Sequence, residues 1–181
     1  KLIVGLLTGH MSFRYFCPEA FVGKNPLADP SVMKWEMRFI RYFVKRFRNE
    51  PSIAAWDLGN ECSQLAGILP DQGYVWTQTI TSAIRESDPT RPVVSGYAAH
   101  PLDHEAFNLR DTAEIVDITT THPYQIFCST SIDPLNSMRA EIDPAMRATL
   151  YETMGGKPAF VEEVGSIGYT NNSEKTEAEF L

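Results

Sequence analysis

Ile53-Ala54-Ala55-Trp56-Asp57-Leu58-Gly59-Asn60-Glu61 is an apolar run, interrupted only by Asp57, that stops abruptly at a glycine, a carboxamide and a carboxylate. A short apolar run bounded by turn residues fits a strand buried on both faces, the kind that parallel sheets require. The strand is predicted over Ile53 to Leu58, and four other segments have the same character: Leu2 to Thr8, Pro92 to Ala98, Ile115 to Thr120 and Pro158 to Val164. Stretches of helical period separate them. Asp29-Pro30 offers an N-cap and a first-turn proline, followed by Val32, Trp35, Phe39, Phe43 and Phe47 on one face, expected in the core. Lys34, Arg38, Arg41, Lys45 and Arg48 fall on another face, read as solvated. A second helix is predicted from Gln72 to Ser87, with Trp76, Ile80, Ala83 and Ile84 inward, and a third from Asp143 to Met154, closed by Gly155-Gly156. Pro101 to Asp111 shows no clear period.

Strands alternating with helices define an α/β chain. A (β/α)₈ barrel of roughly 250 residues spends about 31 on each unit, so the 181 residues of this chain amount to about six units. The expected fold is therefore an incomplete TIM barrel, a single domain over residues 1–181. A doubly wound open sheet competes, but Gly5 and Gly9 do not form the G-x-G-x-x-G turn that such a sheet places after its first strand.

Composition narrows the function. The chain is 43% hydrophobic and 22% charged, ordinary for a globular domain, and its formal net charge of -7 has the wrong sign for tracking phosphates. Nucleic acid is not an expected partner. No run approaches the ~18 apolar residues of a membrane span, so no membrane partner is expected either, and no signal-peptide pattern opens the chain. Cys17, Cys62 and Cys128 include no C-x-x-C pair, which argues against a disulfide framework or a zinc site. Neither a metal nor an organic cofactor is expected.

Parallel barrels carry their chemistry at the C-terminal ends of the strands. Here those ends read Thr8-Gly9-His10, Gly59-Asn60-Glu61, Thr121-His122-Pro123-Tyr124 and Glu162-Glu163-Val164-Gly165. Glu61 and Glu163 lie about three βα units apart and should converge over one mouth. Two carboxyl groups facing one pocket are what glycoside hydrolysis needs, one to protonate the leaving oxygen and one to attack or to activate water. Glu162 is the rival of Glu163, because side chains alternate along a strand and only one of the pair can face the pocket. Capping of a following helix by Asn60-Glu61 and a surface or loop position for His100 and His104 are the plainer alternatives; a thiol nucleophile at Cys62 is a rival reading for which the sequence implies no base. Trp35 and Trp76 are expected in the core, and Tyr15, Phe16 and Phe21 either stack on a sugar or pack within their own loop.

These residues also carry a resemblance. Ala55-Trp56-Asp57-Leu58-Gly59-Asn60-Glu61 resembles the acid/base strand of the clan A glycoside hydrolases, His122-Pro123-Tyr124 resembles the His-x-Tyr of glycoside hydrolase family 5, and Lys157-Pro158-Ala159-Phe160-Val161-Glu162-Glu163-Val164-Gly165 resembles its nucleophile strand, with Val164 where phenylalanine is usual. Within that family the chain looks most like the endo-β-mannanases. The resemblance implies a retaining β-glycosidase acting on β-linked poly- or oligosaccharide, β-mannan first, with a carbohydrate substrate as partner. Glu61 would be the acid/base and Glu163 the nucleophile. Asn60, His122, Tyr124 and His10 would contact substrate or the carboxylates, with Tyr124 donating to Glu163. A partly buried Glu61 beside that negative charge is expected to have its pKa raised and to stay protonated. Another clan A activity, such as a β-glucanase or an exo-β-glycosidase, and a non-catalytic carbohydrate-binding barrel are the alternatives. In the family's strand order this chain corresponds to about strands three to seven, so an arginine from the N-terminal strands and a tryptophan platform from the eighth have no counterpart here, and the chain is expected to be a piece of a longer hydrolase.

Overall fold

The computed structural model describes residues 1–12, 14–65, 67–102, 105–124 and 138–165. The expected positions of His104 and Cys128 lie outside them. The first strand, β1 (Leu2–Thr8), leads into a two-residue hairpin of β2 (His10–Met11) and β3 (Arg14–Tyr15), then helix α1 (Pro30–Phe47), β4 (Ile53–Asn60) and α2 (Pro70–Ser87). The chain continues through β5 (Val93–Val94), α3 (Leu109–Ile115), β6 (Thr119–Thr121), α4 (Met138–Gly155) and β7 (Ala159–Val161). β1 pairs in parallel with β4, β4 with β5, and β6 with β7, while a parallel bridge between Val94 and Ile118 joins the two groups. The result is one parallel arc in sequence order, five strands of a barrel wall.

Local chemistry accounts for the elements. Asp29 caps α1, its Oδ1 accepting from the backbone of Ser31 at 2.8 Å and of Val32 at 3.3 Å, and Pro30 begins the first turn. Gln72 reaches back to the Leu69 N–H at 2.8 Å and starts α2 two residues before the predicted bound. The strand expected over Ile115 to Thr120 is shorter and later, because Asn108 accepts from the Asp111 N–H at 3.0 Å and nucleates α3 through Ile115. Trp56, Leu58, Trp76, Ile80, Ile84, Val93 and Tyr97 form the core between wall and helices. Among the described residues no helix is long and apolar enough to cross a membrane.

Two burial expectations are corrected. The buried side of α1 is Val32, Ile40 and Val44, whereas Trp35 is 51% exposed and Phe39 and Phe47 are exposed as well. Trp35 and Phe39, with Phe16 and Phe21, instead line an apolar groove of about 730 Å³ beside β1, the strand at the open end of the sheet. His100, expected at the surface or in a loop, does lie in the loop between β5 and α3 but is buried there among Tyr97, Phe107 and Tyr151; its Nδ1 faces the Phe107 carbonyl at 3.2 Å. Burial pushes its pKa down to about 4, so it sits in the core as a neutral ring.

Candidate active site

The strand ends meet at one rim. At the top of β4, Asp57 accepts from the Gly59 N–H at 2.8 Å, and a Cβ on Gly59 would come within 2.5 Å of the Leu7 carbonyl oxygen, so the two strands close only over a glycine. The next residues turn sharply. Glu61 takes a left-handed conformation (φ 51°, ψ 34°), held by its N–H donating to the Gly96 carbonyl at 2.8 Å. A non-glycine residue in that region stores on the order of 1–3 kcal/mol of strain, the sort of cost found where a side chain must be aimed.

What Glu61 is aimed at is a pair of histidines. Its Oε2 lies 2.5 Å from His10 Nδ1, and its Oε1 lies 3.1 Å from His122 Nδ1. His10 is placed by the hairpin that follows β1 and by Asn60, whose amide donates to the His10 carbonyl at 2.7 Å. His122 follows β6 directly, with its N–H donating to the Ala98 carbonyl at 2.8 Å. From the far side of the arc, Glu163 approaches the same imidazole, Oε1 3.6 Å from Nδ1, while Tyr124 donates to Glu163 Oε2 at 3.1 Å. Glu61, Asn60, His10, His122, Tyr124 and Glu163, all six of the residues singled out from sequence, line one cleft of about 580 Å³.

Of the two rival glutamates, Glu163 lines the cleft and Glu162 does not, as expected, although regular strand alternation is not what separates them. β7 ends at Val161, so Glu162 and Glu163 lie beyond the regular strand and both reach His122. Glu163 lines the cleft, and Glu162 takes the opposite ring nitrogen, its Oε2 3.3 Å from Nε2. Sequence reasoning also passed over Arg147 of α4, which lines the cleft and pairs with Asp143 one turn earlier at 2.6 Å. No local signal marks it, because its place depends on how α4 docks.

Charge follows geometry. Burial disfavours the His122 imidazolium, but hydrogen bonds with Glu162 and Glu61 and the charges of Glu163 and Glu162 outweigh it and raise its pKa to about 9. Burial alone would raise the Glu61 pKa as expected; the hydrogen bonds and charges of His122 and His10 reverse the sign and hold it below the ordinary value. The expectation of a raised Glu61 therefore fails, because the two histidines favour its ionised form by more than burial opposes it. Asp57, buried beneath the rim, is pushed up to about 7 by burial and by Glu162. Cys62 faces the interior, and burial with the Asp57 charge drives its thiol well above the usual range, which leaves it inert as a nucleophile. Glu61, His122 and Glu163 bring donor atoms within 4.8 Å of one another, the arrangement among the described residues that could face a cation.

Comparison with known proteins agrees with this architecture. Residues 10–144 match the family described as "Glycosyl hydrolases family 2, TIM barrel domain", a span holding Glu61, His122 and Tyr124 but not Glu163. A probable mannan endo-1,4-β-mannosidase C of Aspergillus terreus is 25% identical over 158 residues, covering 75% of this chain and 37% of the relative. Among solved structures, a glycoside hydrolase family 5 subfamily 18 protein of Streptomyces cattleya, crystallised with Manβ1-4GlcNAc, superposes with a TM-score of 0.86 at 22% identity, over 97% of this chain and 46% of that one. The endo-β-1,4-mannanase of Thermotoga petrophila superposes at 0.70 and 19% identity, over 92% and 42%. These likenesses establish the barrel fold, and the chain spans less than half the length of each of these three proteins. The clan-level resemblance stands, with the family match falling on family 2 where the motifs resembled family 5.

Proposed function

The chain belongs to the TIM-barrel domain family of the family 2 glycosyl hydrolases, and from that membership we propose that it is the catalytic part of a retaining β-glycosidase acting on β-mannosidic linkages. The observation that carries the reading is the approach of Glu61 and Glu163, whose carboxylate oxygens come within 4.8 Å across one cleft. Retaining enzymes hold their two carboxyl groups about 5–5.5 Å apart so that one attacks the anomeric carbon directly, whereas inverting enzymes leave ~6.5–9.5 Å for a water. Glu163 attacks, steadied by the Tyr124 hydroxyl; Glu61 protonates the leaving oxygen and then takes a proton from the incoming water. Asn60 sits beside Glu61, where its second amide hydrogen can meet the sugar 2-hydroxyl as the oxocarbenium-like transition state forms. Mannose as the sugar is supported by the relatives, which are named for β-mannan cleavage or hold a Manβ1-4GlcNAc ligand, and relation to family 5 is the finer reading that the structural likeness supports.

Covalent trapping tests the mechanism. A 2-deoxy-2-fluoro-β-mannosyl fluoride should accumulate as an ester on Glu163, seen as a mass increase on the peptide that contains it. A label on Glu162, or an unlabelled protein that still binds mannooligosaccharide, would sink this assignment and favour a carbohydrate-binding barrel instead.

A further inference from the structure

Glu162 is left over by the double displacement, yet it is built into the site. His122 is nearly enclosed, and each of its ring nitrogens faces a carboxylate: Nδ1 faces Glu61 at 3.1 Å and Glu163 at 3.6 Å, and Nε2 faces Glu162 at 3.3 Å. A neutral imidazole has one N–H and one lone pair, so either tautomer would set a lone pair against an anion. With the facing carboxylates ionised, only a doubly protonated ring satisfies both sides. Three elements thus converge on one proton-bearing group: the end of β4, the segment after β6, and the segment after β7.

We propose that Glu162 is a positioning residue that holds the Nε2–H of His122, so that the ring can lend its Nδ1 proton to Glu61. The inference rests on the reading of Glu61 as the acid. Ionised Glu61 cannot protonate a leaving oxygen, and the cleft holds it ionised before substrate arrives. When a sugar chain fills the cleft and displaces water, the charge-separated pair loses its solvation. The proton then moves from His122 Nδ1 to Glu61 Oε1: one N–H bond breaks, one O–H bond forms, and a neutral ring remains with Nε2–H still donating to Glu162. As the glycosidic C–O bond breaks and Glu163 bonds to the anomeric carbon, that proton passes to the departing alcohol. In the second step water attacks the anomeric carbon, the ester to Glu163 breaks, and the water's proton returns through Glu61 to His122. The sum is one glycosidic bond and one water converted into two hydroxyls.

The groups that face His122 are Glu61 from β4, Glu163 and Glu162 after β7, and Asp57 beneath the rim, with Tyr124 in its own segment, Arg147 across the cleft and His100 behind. Glu162→Gln removes one charge from that set while keeping the side chain's size. Nitrogen-15 NMR of histidine-labelled protein reads the ring directly and needs no activity. The wild type should show both His122 nitrogens protonated at pH 7, and Glu162→Gln should lower the pH at which the ring titrates by about 1–3 units, the size expected for losing an adjacent opposite charge. Glu162→Asp keeps the charge and should retain the doubly protonated ring. A neutral His122 in the wild type, or a titration unmoved by Glu162→Gln, overturns the proposal. The kinetic arm compares leaving groups in the glycosylation step, read as kcat/KM: Glu162→Gln should slow mannooligosaccharide cleavage by about 10-fold or more and leave formation of the glycosyl-enzyme from a dinitrophenyl mannoside nearly untouched, because general acid catalysis is worth about 10²–10⁴-fold only where the leaving group needs a proton. Equal losses on both substrates would also overturn it. A wild type with a doubly protonated His122 but no glycosidase activity would count against the proposed function and not against the placement of Glu162.

Discussion

The Tyr124 hydroxyl donates to Glu163 Oε2 at 3.1 Å, from a backbone segment that also carries His122 two residues earlier. One strand end therefore addresses both oxygens of the same carboxylate, the phenol on Oε2 and the imidazole toward Oε1. The phenol favours the ionised carboxylate and fixes its angle of attack. Tyr124→Phe removes the donor without opening the cleft. A hydrogen bond to a charged group is worth about 1.5–3 kcal/mol, so the rate of forming the glycosyl-enzyme should fall by about 10–100-fold. Stopped-flow release of a chromogenic leaving group measures that step, and an unchanged burst rate would remove Tyr124 from the nucleophile's support.

Glu61→Ala separates the acid from the other carboxylates. The substitution should reduce cleavage of mannooligosaccharides by about 10²–10⁴-fold, the usual range for a lost general acid. Formation of the glycosyl-enzyme from a dinitrophenyl mannoside should be far less affected, since that leaving group departs as an anion, and added azide should restore turnover as a β-glycosyl azide. The check is a comparison of kcat/KM on the two substrates with product identification; parallel losses and no azide product would mean that Glu61 is not the acid.

Much of this was legible in the residues because it depends on short-range pattern. Leu2–Thr8 is a strand in both readings, and the six site residues lie at strand ends where a barrel puts its chemistry. The misreadings have a common physical origin in tertiary contact. Strand alternation gives the cleft to Glu163 alone, and that holds; what it does not show is that Glu162, beyond the end of β7 at Val161, meets the other ring nitrogen of His122. Burial and a neighbouring carboxylate predict a raised Glu61 pKa; the two histidines that reverse it come from β2 and the end of β6, far away in sequence. Trp35 carries the same helical signal as Val32, and only the unpaired side of β1 shows why one is buried and the other exposed.

Stability at low pH should depend on Asp88, at the opposite end of the barrel from the cleft. Trp56 Nε1 donates to it at 2.9 Å and Arg91 at 2.6 Å, and the same guanidinium donates to the Ile53 and Glu50 carbonyls. Burial tends to raise its pKa, but the hydrogen bonds from Thr90, Trp56 and Arg91 prevail and bring it to about 2. The folded state thus holds the anion more strongly than the unfolded chain, whose aspartates titrate near ~3.9. The resulting stabilisation, about 2 kcal/mol, is complete above pH ~4 and is lost as the pH falls toward about 2. Urea unfolding of the wild type and Asp88→Asn should show a gap at pH 7 that closes by pH 2; a gap independent of pH would mean that packing, not charge, is what the site contributes.

Gly96 links the core to the catalytic turn. It adopts φ +66°, its carbonyl accepts the Glu61 N–H at 2.8 Å, and a Cβ placed on it would lie 2.0 Å from Asp57 Oδ1 and 2.5 Å from the Gly59 carbonyl oxygen. Both obstacles belong to β4, so neither can swing away as a surface side chain would. Gly96→Ala combines a disfavoured backbone region with a clash against fixed atoms, and a loss of at least about 2 kcal/mol in unfolding free energy is expected. Any folded fraction should also have Glu61 displaced, because relieving the clash moves the carbonyl that holds its left-handed turn. Chemical unfolding gives the first quantity, and the leaving-group comparison used for Glu61→Ala gives the second. A variant as stable as the wild type would mean that the backbone at Gly96 can move without cost, and the aim of Glu61 would then have to come from its histidines alone.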